Sequence, residues 1–179
     1  MTDIKSLTPV KRHVTTNTDD GVSIFSSKIS PDPPSQQLPD GVKIAFCYGC
    51  QSVPVDLAGE QDLQSYQHLI DNPPGIVIPN GFACRILDLP PGYESAPHRT
   101  ISVNFNVVVE GQMELTLGSG EKRILGPGDS AIQRGVDHSW RNVSSTCWAR
   151  MVAAVIPAEA LQFGGVEVKG SGIQGMDAS

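Results

Sequence analysis

The chain is built from short apolar runs, and along most of them apolar and polar residues alternate with a period of two. Ile101, Val103, Phe105, Val107 and Val109 share one parity, while Thr100, Ser102, Asn104 and Asn106 share the other. Successive side chains of a strand point to opposite faces, so this stretch predicts a strand with one polar face. Its other face is apolar, as expected of a surface packed against another sheet or a second subunit. Similar runs predict strands over 21–28, 42–48, 76–78, 82–90, 112–117, 121–125, 130–133, 137–141 and 146–156. The single helix is expected over 59–71, where Asn72-Pro73-Pro74 ends it. Fourteen prolines and eighteen glycines fall mainly between the runs, which favours an all-β domain over a helical one. Closely spaced short strands of this kind suggest a jelly-roll barrel or sandwich.

The punctuation also suggests an organisation. Residues 1–20 read as a polar N-terminal arm whose order depends on docking, 21–160 as the folded domain, and 161–179 as a glycine-rich flexible tail. Residues 30–41 hold four prolines and are expected to be irregular. At 179 residues, 39% of them hydrophobic, the chain is long enough for one packed core.

A net charge of −6 and the lack of any basic run argue against nucleic acid or an anionic membrane surface as partner. No apolar stretch has the length of a signal peptide or a membrane span, so a cytoplasmic location is expected. In a reducing compartment Cys47, Cys50, Cys84 and Cys147 read as small apolar side chains. Cys47 and Cys50 have redox or zinc spacing, but no second pair follows them. Asn142-Val143-Ser144 has the form of a glycosylation acceptor, which matters only in a secreted chain.

The candidate chemistry lies between Gly92 and Asn142. His98 follows Gly92 by six residues, and His138 follows the turn at Gly126-Pro127-Gly128-Asp129. Parity puts His98 and Thr100 on the face of Asn104 and Asn106, and Trp140 on that of His138. A pocket of His98, Thr100, Asn104, Asn106, His138 and Trp140 follows. Arg85, one strand earlier, either meets a substrate carboxylate or forms an ion pair with Asp88 or Glu94. Arg99 has the wrong parity for the pocket, Arg134 sits in a turn, and His13 and His68 read as surface residues.

These motifs resemble the cupin superfamily. The first cupin motif, G-x5-H-x-H-x3,4-E-x6-G, maps onto Gly92, His98, Thr100, Asn104 and Gly111. The second maps onto Gly128, Gln133, Gly135, His138 and Asn142, with Gln133 in place of proline. The strings HRTIS and QRGVDHSWRN look like a subgroup of small single-domain cupins found in fungal natural-product pathways and bacterial catabolism. The resemblance implies an all-β cupin jelly-roll β-barrel with an N-terminal strand arm, few short helices and homodimeric pairing.

Thr100 and Asn104 stand where metal-binding relatives carry a second histidine and a glutamate. Both are weak neutral ligands, and Glu94 or Glu110 reaches in only if the register departs from the family pattern. No resident metal or other cofactor is therefore expected, although His98 and His138 could hold a divalent ion weakly. Two histidines titrating near neutrality suit proton transfer, with Asn104 and Thr100 polarising a substrate oxygen and Asn106, Trp140 and Arg85 binding the rest. The expected activity is that of a lyase or isomerase, such as a dehydratase, decarboxylase or double-bond isomerase, acting on a small metabolite of secondary metabolism. An iron- or manganese-dependent oxygenase with a reduced ligand set and a non-catalytic ligand-binding cupin are the alternatives.

Overall fold

A computed structural model describes residues 7–178. The first six residues of the expected arm and Ser179 of the expected tail lie outside the described residues. The strands in chain order are β1 (Thr15–Asn17), β2 (Ser23–Phe25), β3 (Ser35–Gln37), β4 (Lys43–Cys50), β5 (Phe82–Leu89), β6 (Ser102–Glu110) and β7 (Met113–Leu117). They continue as β8 (Lys122–Leu125), β9 (Ser130–Arg134), β10 (His138–Asn142), β11 (Ala149–Pro157), β12 (Leu161–Phe163) and β13 (Val166–Val168). A short 3-10 turn, Ala58–Glu60, leads into the helix α1 (Gln61–Asp71).

A six-stranded antiparallel sheet, ordered β3-β4-β5-β11-β6-β9, faces a three-stranded sheet ordered β10-β7-β8. Between them lies a core of Val42, Ile44, Leu89, Val108, Met113, Leu125, Trp140 and Met151. This is the all-β barrel the sequence implies. Gly111 shows why the β6–β7 turn needs glycine: its φ is +76°, and a Cβ there would lie 2.9 Å from that of Ala149. Helix α1 packs against the larger sheet, with Leu69 against Val77, Ile78, Ala83 and Val155, and Leu63 and Tyr66 against Ile29, Phe46 and Tyr48. Arg12, from the N-terminal arm, reaches the same place and donates to the carbonyls of Phe46 and Cys47.

In β6 the predicted parity holds. Ser102, Asn104, Asn106 and Val108 face inward and are buried. Phe105 and Val109 face outward, 49% and 43% exposed; the exposed Ile132 of β9 pairs with Phe105, and the exposed Ile156 of β11 pairs with Val103.

Three expectations need correction. Residues 76–78 form no strand; instead the amides of Ile76 and Val77 donate to the carbonyls of Asp177 and Ala178 at 2.8 and 3.0 Å. The supposedly irregular 30–41 segment contains β3, because Ser35–Gln37 pairs with the open edge of β4. The tail is not loose: β12 and β13 form a hairpin, and Ile173 and Met176 pack against the core. Glycine content pointed to mobility, whereas two apolar side chains decide the docking.

Asn142 ties the two sheets together. It is 1% exposed, and its Nδ2 lies 3.1, 3.0 and 2.9 Å from the carbonyl oxygens of Leu89, Pro90 and Cys147. Such burial leaves no room for a glycan. Replacing it strands those carbonyls, so Asn142→Ala is expected to lower the unfolding free energy by about 2–3 kcal/mol in urea titration. A loss within ~0.5 kcal/mol, the range of ordinary surface substitutions, would contradict this role.

Candidate active site

Tyr93 to His98 runs antiparallel to β10 and delivers the first histidine to the second. The Asn142 amide donates to the Tyr93 carbonyl at 2.9 Å, and the Ser95 amide donates to the Trp140 carbonyl at 2.9 Å. At the end of this run His98 and His138 exchange backbone hydrogen bonds of 2.9 and 3.0 Å. Directly opposed residues of this kind bring their side chains together. The two imidazole centroids are 4.3 Å apart, with the rings inclined at 53°.

Each ring is held the same way. His98 Nδ1 is 3.0 Å from the Ala96 carbonyl, and His138 Nδ1 is 3.0 Å from that of Val136. A carbonyl only accepts, so each Nδ1 carries the proton and each Nε2 keeps its lone pair in the neutral ring. His98 is half-buried, whereas His138 is 3% exposed. Burial, reinforced by the neighbouring His98, pushes the His138 pKa down to about 4. It is therefore a neutral imidazole near pH 7, and the expectation that both histidines titrate near neutrality fails for His138 because the barrel desolvates it.

The histidines open onto a cavity of about 90 Å³ within the barrel. Arg85, Asn104, Asn106 and Gln133 reach it from the larger sheet, with Trp140, Met151 and Met176 among its apolar walls. Asn106 Nδ2 donates to Gln133 Oε1 at 2.6 Å. Asn104 is more constrained: its Oδ1 is 2.6 Å from Ser102 Oγ, and its Nδ2 donates to Thr100 Oγ1 at 3.3 Å. Thr100 is buried but does not line the cavity. The expectation that it touches substrate is corrected, because Ser102, 2.8 Å away, and Asn104 take up its hydroxyl. Its remaining part is to position Asn104.

Arg85 is 4% exposed and has no carboxylate partner among the described residues. Asp88 is bound to Arg150 at 2.6 and 2.7 Å, and Glu94 pairs along the backbone with Arg141, so neither expected ion pair forms. The guanidinium instead donates to the carbonyls of Ile76 and Gly75 at 2.7 and 2.6 Å and lies over the ring of Phe46. Desolvation pulls its pKa down to about 10. Arg99, Arg134, Glu94 and Glu110 stay outside the cavity, as do His13 and His68.

Gln133 escapes the sequence reading as a site residue, although its place in the second motif and its inward parity both marked it. It is 4% exposed, and its Nε2 is the buried side-chain atom left without a partner among the described residues. Ile173 and Met176 of the tail also line the cavity, and only their apolar character signalled this. Cys47 and Cys50 are free, and burial pushes the Cys47 thiol up to about 11, away from thiolate chemistry.

The donors present fit a tightly held cupin metal poorly. Two imidazoles face the cavity, and among the described residues no cluster of three or more His, Cys, Asp or Glu side chains converges. Thr100 and Asn104, at the other ligand positions, are engaged with each other and with Ser102.

A cupin domain family model matches residues 85–155, which span both histidine motifs. Over 166 residues the chain is 39% identical to phomopsin biosynthesis cluster protein D of Diaporthe leptostromiformis, covering 93% of this chain and 88% of that one. The chain is a cupin. Identity is also 39% to oryzines biosynthesis cluster protein J of Aspergillus oryzae, with 92% of each chain covered. A cupin-domain-containing oxidoreductase of Neurospora crassa is 36% identical over 88% of this chain and 78% of its own. The cupin domain of Schizosaccharomyces pombe Cnp3 superposes with a TM-score of 0.50 at 14% identity, covering 82% of this chain and 87% of that one, a likeness of fold. No helix among the described residues of this cupin is long and apolar enough to cross a membrane.

The state of His138 carries a measurable consequence. Its pKa is about 4 when folded, against the ordinary imidazole value of 6.5, so the unfolded chain binds the extra proton and stability falls as pH drops from 6.5 towards 4. The full difference is worth roughly 3 kcal/mol. Urea titrations across that window should show this slope in the wild type and a flatter one in His138→Gln. Equal slopes would contradict a buried neutral imidazole.

Proposed function

We propose that this cupin is a lyase or isomerase that moves protons on a small oxygenated metabolite, without a resident metal, in a secondary-metabolic pathway. The observation that carries the reading is the pair of facing imidazoles, each with Nδ1 tied to a carbonyl and Nε2 left for the cavity. The biosynthesis clusters named for its relatives support the setting.

His138, neutral and desolvated, is the base. Its Nε2 takes a proton from a carbon next to a carbonyl, and the electron pair of the broken C–H bond moves into an enolate. The second N–H of Asn104 Nδ2 is free to donate to the enolate oxygen as charge develops there. His98, at the half-exposed side, is the acid. In dehydration the proton taken by His138 passes to Nε2 of His98, which delivers it to the β-hydroxyl; the enolate electron pair forms the C=C bond as the C–O bond breaks, and water leaves with both rings neutral again. In isomerisation the proton returns to a different carbon. Two cationic rings this close repel, so the pair does not hold two extra protons at once.

The oxidoreductase names of several relatives favour a second reading, a metal-dependent oxygenase whose ion would rest on His98 and His138. A non-catalytic binding cupin would keep the cavity and need neither ring. In an assay with the true substrate, His98→Ala and His138→Ala are each expected to lower kcat by about 10²-fold or more while the barrel stays folded. Wild-type turnover in either variant would sink the proton-transfer reading. Metal analysis of untagged protein should give less than about a tenth of an equivalent, with activity surviving a chelator. A stoichiometric metal whose removal abolishes turnover would favour the oxygenase.

A further inference from the structure

Arg85, Asn106 and Gln133 line the same cavity. Ala153 of β11 is register-paired with Arg85 on one side and with Asn106 on the other. Strands lie about 4.8 Å apart, so the Arg85 and Asn106 backbones stand roughly 10 Å apart with only a methyl group between them. Arg85 lines the cavity on one side of this gap, its guanidinium over the ring of Phe46 and bonded to the carbonyls of Gly75 and Ile76. From the other, Asn106 holds Gln133 by its carbonyl oxygen, which leaves the Gln133 Nε2 without a protein partner among the described residues.

The charges have one sign. None of the residues lining the cavity is an aspartate or glutamate, although the chain as a whole carries −6. Arg85 spends hydrogen bonds on two neutral carbonyls out of the five N–H groups of a guanidinium. A buried cation without a counter-ion is costly, and so is a buried amide without an acceptor. One carboxylate above Ala153 would relieve both, taking a charge-assisted bond from Arg85 on one oxygen and an N–H from Gln133 on the other. The cavity, about 90 Å³, limits its bearer to a small molecule.

We propose that Arg85 and Gln133 form a carboxylate-binding subsite, and that the substrate of this cupin is therefore a small organic acid. The inference deepens the proton-transfer reading by naming the substrate class of the same cavity, and it is tested by binding rather than turnover. Butanoate and butanamide, alike in shape and different in charge, serve as probes of the full-length protein. Binding is followed by calorimetry and by the side-chain amide resonances of Gln133.

Butanoate is expected to shift the Gln133 amide signals and to bind at least about tenfold more tightly than butanamide. Arg85→Gln should abolish that preference. Should this variant fail to fold, Gln133→Glu gives the same information: it should weaken butanoate at least about tenfold and leave butanamide within about threefold. Equal binding of the two probes, no binding of either, or a preference that survives these substitutions would overturn the subsite. Butanoate binding in the His138→Ala variant separates the two readings. Binding there, with turnover unaffected by loss of the histidines, would keep the subsite and remove the proton-transfer mechanism.

Discussion

The candidate site depends on one backbone pairing, the reciprocal hydrogen bonds between His98 and His138. They close the end of an irregular antiparallel run in which Tyr93 to His98 follows β10, and they leave the two imidazoles no choice but to face each other. Everything chemical about the rings follows from that position. The carbonyls of Ala96 and Val136, each two residues before its histidine, fix both tautomers, and the barrel wall removes water from His138. The shift in its pKa is thus a property of the fold as much as of the residue.

Around the rings the polar groups divide into those the protein satisfies and those it does not. Thr100, Ser102 and Asn104 bond to one another, and Asn142 answers three carbonyls on two segments. Arg85 and Gln133 do not close on themselves in this way. In a close-packed interior such exceptions are costly, and both lie on the cavity floor.

Much of this is legible in the order of residues alone. Strand periodicity locates β5 to β11 within a few residues, because each has one face against the core and a period of two cannot slip without exposing it. The same parity places His98, Asn104, Asn106, His138 and Trp140 in one pocket. What fails has a common cause: β3, the docking of 76–78 onto 177–178, and the packing of Ile173 and Met176 are long-range contacts of segments with little local pattern. Thr100 shows another limit. Parity says which face a side chain takes, but not that Ser102 and Asn104 will occupy its hydroxyl first.

His98 and His138 each present Nδ1 to a carbonyl, which leaves Nε2 as the nitrogen for the proton transfer proposed above. Nitrogen NMR of histidine-labelled protein at pH 7 reads this directly. Both Nδ1 atoms should appear protonated, and the Nε2 of His138 should appear as a bare nitrogen. A protonated His138 Nε2 at that pH, or a ring with its proton moved off Nδ1, would contradict this arrangement.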